Sequence, residues 1–231
     1  EQQRETKRMG KVTAYVATLC PYAQRTRITI LAKGVEHEWF YIDNDVLLRR
    51  KEKPQILLDK NPLGAVPVID HEGMTLYESS IIGEYLEEAF KDQGPKLMPE
   101  DVKERALARL HISQIQGKLL NQLYGYMFSS DDKREEMKEK FMEGLKWAEN
   151  KFEERPGDFF LGNELSLVDI AYVPFFERIV TAMDPLFQVN HLVESVPKLN
   201  RWYHETMHTV DAFLQTKSDP QYLLDCYKVY S

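Results

Sequence analysis

A thiol becomes a strong nucleophile when it is held as thiolate, and Cys20 stands where this chain offers that. Residues 11–16 are β-prone, Thr18-Leu19 reads as a turn, and Pro21 opens a run through Arg25, Ile28, Ile30 and Leu31 that ends at Gly34. Strand, turn, helix and cap are expected in that order. Pro21 has no amide hydrogen to lose in a first helical turn, and Gly34 suits the left-handed residue that closes a helix. A thiol at the amino end of the predicted helix, residues 21–33, faces unpaired amides and the positive end of the helix dipole. Lowering its pKa from ~8.5 to ~6 would raise the thiolate fraction at pH 7 from about 3% to about 90%. Position 23 is Ala23, so Cys20-Pro21-Tyr22-Ala23 holds no second thiol to resolve a mixed disulfide. That pattern points to a monothiol mechanism in which a small external thiol does the resolving. Cys226 lies on a predicted C-terminal helix among Leu223, Leu224 and Tyr227 and reads as packing.

Two further places could hold a ligand beside the thiol. Pro67 falls in the strand predicted over residues 65–70, where it cannot donate to a ladder, so Val66-Pro67 implies an edge or a special backbone. If that bond is cis, the Val66 amide and carbonyl turn outward and can pair with an extended peptide. Glu78-Ser79 falls where a strand ends and a helix begins. Ser79 or Ser80 can cap the helix, whose amino end is also a carboxylate site, and Glu78 can hold an ammonium group. A nucleophilic thiol, a strand edge and a clamp for carboxylate and ammonium describe a site for a small thiol peptide with an amino-acid-like end. Glutathione is such a peptide. The six histidines show no metal-ligand spacing, since His204 and His208 lie four apart but lack acidic or cysteine company, and no metal is expected.

The elements that position these residues are α/β first and all-helical afterwards. A strand over residues 38–42, parallel to the first, completes a βαβ unit; residues 65–70 and 74–77 form a hairpin about His71-Glu72-Gly73, and a helix runs on to Phe90. Lys91 to Pro99 carries Gly94, Pro95 and Pro99 and reads as a linker, which places one domain at residues 11–92 and a second at 100–231. Apolar stripes predict helices over 102–128, 132–154, 166–183 and 197–214. Ser166 and Asp169 are spaced for a reciprocal capping box, and Pro174 should kink the helix that follows. The 231 residues carry a net charge of −7, against general affinity for nucleic acid or anionic membrane. With no apolar run of membrane-spanning length and a charged rather than apolar start, a soluble cytoplasmic protein is expected.

Three segments, Cys20-Pro21-Tyr22-Ala23-Gln24-Arg25-Thr26-Arg27, residues 60–68 from Lys60-Asn61-Pro62 to Val66-Pro67-Val68, and Leu76-Tyr77-Glu78-Ser79, resemble the corresponding parts of omega-class glutathione transferases. Residues 159–163 before the Ser166 box, Phe176-Glu177-Arg178, and Pro197-Lys198-Leu199 ahead of Trp202 continue the resemblance, which spans about residues 11–227. It implies a thioredoxin-like N-terminal domain that binds glutathione and an all-helical C-terminal domain that forms the second-substrate pocket, paired as a homodimer. It also implies that Cys20 forms a mixed disulfide with glutathione, with Tyr22 flanking the thiol. Lys53 would meet the glycyl carboxylate, Val66 would pair with the tripeptide backbone beside a cis Pro67, and Glu78 with Ser79 would hold the γ-glutamyl end. Arg178 and Tyr227 match positions lining the pocket. The activity so implied is thiol transfer, with dehydroascorbate or methylated arsenic species as further substrates. Two departures stand out, a longer connection over residues 43–53 and Pro220 where the pocket usually has an aromatic residue. Chloride intracellular channel proteins share the cysteine motif and two-domain plan and supply the rival, non-enzymatic reading; they generally lack the Glu78-Ser79 clamp.

Overall fold

The computed structural model describes residues 10–48, 50–187 and 194–228. The chain divides into two compact units, the first ending at Pro95 and the second beginning at Lys96. In the first unit, β1 (Val12–Val16) is rich in β-branched and aromatic residues and is buried along almost its whole length. It takes the inner place, pairing in parallel with β2 (His37–Tyr41), Val12 opposite His37 and Val16 opposite Tyr41. On its other side β3 (Val68–His71) runs antiparallel, with Tyr15 opposite Val68, and forms a hairpin with β4 (Met74–Tyr77), giving the order β2-β1-β3-β4. Glu72 and Gly73, both at positive φ, make the two-residue hairpin turn. β3 starts three residues later than the sequence suggests, and Pro67, without an amide hydrogen, lies just outside the ladder.

The helix α1 (Pro21–Lys33) begins at proline and ends on Gly34 in the left-handed conformation, whose amide bonds back to the last turn, so both boundary signals hold. α1 packs beside α4 (Ser79–Ala89), and Ile30, Ile82 and Leu86 join Val12, Ala14, Val16, Val68 and Ile69 in one apolar core. Between β2 and β3 lie α2 (Asn44–Leu47) and α3 (Gln55–Lys60), neither of them among the elements expected from the sequence. At the end of α1, Lys33 is fully buried, pairs with Glu87 at 2.9 Å and donates to the Pro95 carbonyl at 2.9 Å. Gly94 lets the chain pass this closely: at φ +58 a Cβ would stand 2.6 Å from the Ala32 carbonyl oxygen.

The second unit is helical among its described residues, but the long predicted helices are interrupted. α5 (Val102–Ile115) and α6 (Asn121–Met127) are joined by a π-helical turn at Gln116–Leu120, and α7 (Arg134–Glu153) follows. α8 (Leu167–Arg178) runs through Pro174 without a break, and the irregularity comes one turn later, at Ile179–Met183, before α9 (Asp184–Phe187). The helix expected over 197–214 is divided into α10 (Pro197–Arg201), a π turn at Trp202–Thr206, a 3-10 turn at Met207–Thr209 and α11 (Asp211–Leu214). α12 (Pro220–Tyr227) closes the described chain. The expected capping box is formed, with Ser166 and Asp169 each bonding the other's amide. Asp169, fully buried, also accepts from Phe160 N at 3.0 Å and Trp202 Nε1 at 3.1 Å, which fastens α8 to its neighbours.

Candidate functional site

Cys20 occupies the capping position of α1 with extended backbone, φ −76 and ψ 118, and its side chain makes no capping bond. Its amide donates to the Ala17 carbonyl at 3.2 Å and its carbonyl accepts from Gln24 N at 3.0 Å, so the residue closes a turn on one side and opens the helix on the other. The first turn of α1 carries no acidic residue to offset the dipole. The half-buried Sγ lies 3.7 Å from the Val66 carbonyl oxygen, a long hydrogen bond in which the thiol donates. The Val66-Pro67 peptide is cis.

The approach to Val66 is built by a small polar turn. Asn61 accepts from Leu63 N at 3.0 Å and donates to the Ala65 carbonyl at 2.9 Å, and Gly64, at φ +57, bonds the Asn61 carbonyl at 2.7 Å. A side chain at Gly64 would collide with Lys53, whose Cδ would be 2.4 Å from the new Cβ. The exposed Lys53 reaches across this turn and donates to the Leu63 carbonyl at 2.6 Å.

Ser79, expected as a cap, is instead the first residue of α4; the capping position belongs to Glu78, whose side chain makes no cap bond. Glu78 is exposed and held at φ +74, a conformation that costs a residue other than glycine of order 1–3 kcal/mol and that clusters at functional sites. Ser79 is buried and its hydroxyl accepts from Arg25 at 3.4 Å. The Arg25 guanidinium also stacks 5.2 Å from the centre of the Tyr22 ring. Arg25 thus joins the first turns of α1 and α4, a role that sequence reasoning had not given it; the three-residue spacing from Tyr22 was the available signal. Within the first unit, then, Cys20 meets Val66, and Tyr22 and Ser79 meet through Arg25.

Arg178 and Tyr227 lie in the second unit, and both are buried. Arg178 donates to Glu177 Oε2 at 2.9 Å and to the Pro174 carbonyl at 2.8 Å, while Glu177 Oε1 accepts from Ser218 N at 3.2 Å. Its charge is therefore compensated inside the fold. Cys226 is buried beside Tyr227 on α12. Among the described residues no helix is long and apolar enough to cross a membrane.

A thioredoxin-like sheet with a cysteine at the head of its first helix, followed by a helical unit, defines a class. The family model for the glutathione S-transferase N-terminal domain matches residues 19–89, and that for the C-terminal domain matches residues 131–205. The chain belongs to the glutathione S-transferase family. It is 33% identical over 220 residues to glutathione S-transferase L1 of Arabidopsis thaliana, covering 95% of this chain and 87% of that relative. It is 30% identical over 199 residues to glutathione S-transferase omega-1 of Sus scrofa, covering 84% and 75%. Among solved structures, rice GST1 in complex with glutathione superposes with a TM-score of 0.81 at 25% identity, over 96% of this chain and 98% of that one. Because a plant L-type and an animal omega-type relative stand about equally near, similarity places the chain in the family and not in one class of it.

Proposed function

We propose that this chain is a glutathione-dependent thiol transferase of omega-like type in which Cys20 is the nucleophile. The observation that carries the reading is the Cys20 sulfur at the amino end of α1, 3.7 Å from the Val66 carbonyl oxygen. In the first step the Cys20 thiolate attacks the glutathionyl sulfur of a mixed disulfide. A Cys20–glutathione disulfide forms, and the other sulfur leaves as a thiolate and takes up a proton. In the second step the thiolate of free glutathione attacks that glutathionyl sulfur, releasing glutathione disulfide and restoring the Cys20 thiolate. The lack of a second thiol at Ala23 leaves the resolving role to glutathione.

In this reading Val66 offers its backbone to the tripeptide beside Pro67, Glu78 and Ser79 hold the γ-glutamyl end, and Tyr22 flanks the sulfur. Lys53 leaves the Leu63 carbonyl for the glycyl carboxylate, trading a neutral acceptor for a charged one. Tyr227 and Arg178, the latter paired with Glu177, belong to the wall of the second-substrate pocket. Dehydroascorbate and methylated arsenic species are substrates that the omega-like reading adds, and the acting form is a cytoplasmic homodimer. The deciding experiment is intact-mass analysis after mild treatment with glutathione disulfide, run on the parent and on Cys20→Ser. One glutathione adduct on the parent and none on the variant is the expected result. An adduct that persists on Cys20→Ser would refute the assignment.

A further inference from the structure

We propose, resting on the assignment of Cys20 as nucleophile, that Asn44 is a positioning residue for it, clamping the turn that delivers the thiol to the head of α1. The Ile42 amide donates to the Val16 carbonyl at 2.8 Å, one rung beyond the end of β2, which brings residues 43 and 44 beside that turn. Asn44 then bonds two consecutive residues of it. Its Oδ1 accepts from Leu19 N at 3.0 Å and its Nδ2 donates to Thr18 Oγ1 at 2.7 Å. Leu19 is buried, so its amide needs a protein acceptor, and two bonds from one rigid carboxamide set both the place and the tilt of the turn. The next residue is Cys20, so a shift of residues 18–19 carries directly into the sulfur.

The backbone around Asn44 is held from both sides. Asp43 caps α2 by accepting from the Asp45 amide at 3.0 Å, and Lys51 pairs with Asp43 on the exposed face. Val46 and Leu47 pack against the apolar core of the first unit. The choice of side chain also fits the chemistry. A carboxamide supplies an acceptor for Leu19 and a donor for Thr18 without a charge, whereas a carboxylate at the same place would disfavour ionisation of the neighbouring thiol. The connection over residues 43–53 thus has a task at the site, carried by its first inward-reaching polar side chain.

The test is the pH profile of Cys20 alkylation by iodoacetamide, located by peptide mapping, together with the limiting rate of exchange with glutathione disulfide. Asn44→Ala is expected to raise the alkylation midpoint by about one pH unit as the sulfur leaves the helix end. It is also expected to slow limiting exchange about tenfold or more through misplacement. Asn44→Asp keeps the acceptor for Leu19 N, so its limiting exchange should stay within about threefold of the parent while its midpoint still rises. Asp45→Ala, on the exposed side of the same helix, should leave both readouts unchanged. If Asn44→Ala does not fold, Thr18→Val removes one of the two bonds and should slow exchange about threefold. A folded Asn44→Ala with the parent's midpoint and rate overturns the proposal, as does an equal loss in Asp45→Ala. A parent Cys20 that resists alkylation, or titrates near ~8.5, overturns the nucleophile reading as well; a reactive parent with an indifferent Asn44→Ala overturns the positioning role alone.

Discussion

Replacing Asp169 with alanine is expected to be among the most damaging single changes in the second unit, and the structure gives the reason donor by donor. Oδ1 accepts from Phe160 N and Trp202 Nε1, and Oδ2 accepts from Ser166 N and Ser166 Oγ. Burial pushes this carboxyl up to about 6, and the four hydrogen bonds work against that rise. Without the carboxylate the Ser166 hydroxyl can rotate toward another partner, but three N–H donors cannot. Each orphaned buried donor costs roughly 1–3 kcal/mol, while the Ser166 hydroxyl can still cap the backbone amide of residue 169, so after partial relaxation Asp169→Ala should lose about 4 kcal/mol. That is a large share of the roughly 5–15 kcal/mol that holds a typical domain together. Asp169→Asn keeps the shape but turns an NH2 toward donors on one side, and should lose about 2 kcal/mol. Urea unfolding followed by tryptophan fluorescence is the assay, with Trp202, which packs against Phe160 and Phe176, among the reporters. An alanine variant within about 1 kcal/mol of the parent would refute the reasoning, since no arrangement that leaves three buried donors unpaired should be so mild.

Two other perturbations follow from buried ionisable groups. His111, bonded to the Tyr172 hydroxyl at 2.9 Å and surrounded by Trp147, Phe160 and Tyr172, has its pKa lowered to about 4, first by burial and then by Lys151 and Arg155. The unfolded chain takes up this proton near 6.5. Stability from His111 is therefore complete above about 6.5 and lost as pH falls toward 4, by up to about 3 kcal/mol. Comparing unfolding at several pH values in the parent and in His111→Gln checks this, and an equally steep acid loss in the variant would count against it. Glu87→Ala strips the buried Lys33 of its partner and should lower stability by roughly 3–5 kcal/mol, whereas Lys33→Met with Glu87→Leu together should recover most of that loss. Thermal unfolding of the two variants decides it; a double variant no more stable than Glu87→Ala would rule out the ion pair as the cause.

How far the sequence could be read depended on whether a residue's signal was local. Pro21 and Gly34 bound α1, Glu72-Gly73 turns the β3–β4 hairpin and Ser166 with Asp169 starts α8, each through chemistry confined to a few neighbouring residues. The π turns at 116–120, 179–183 and 202–206 were not legible, because one added residue in a turn barely disturbs an apolar stripe, and tertiary packing decides where it falls. Leu119 and Leu120, for example, are buried within the first of them and satisfy a helical pattern equally well. The same limit applies at the candidate site. Cys20 announced itself by its place ahead of Pro21, but Arg25, which reaches Ser79 across 54 residues, and Asn44, which reaches back to Thr18, act through contacts that only the folded chain creates.

Glu78 marks where local rules and the fold part. By local propensity the residue that precedes a helix after a strand should be a serine, threonine or aspartate that caps it in an extended conformation. Here that place is taken by an exposed glutamate at φ +74 whose side chain leaves the helix end uncapped, while Ser79 is drawn into the first turn to accept from Arg25. Neither choice favours the helix by itself. Both make sense if the amide end of α4 and a carboxylate beside it are kept open for a ligand that carries the opposite groups. Among the described residues only Glu72 and Glu78 hold positive φ without being glycine; the β3–β4 hairpin turn accounts for Glu72, and Glu78 falls where binding is proposed.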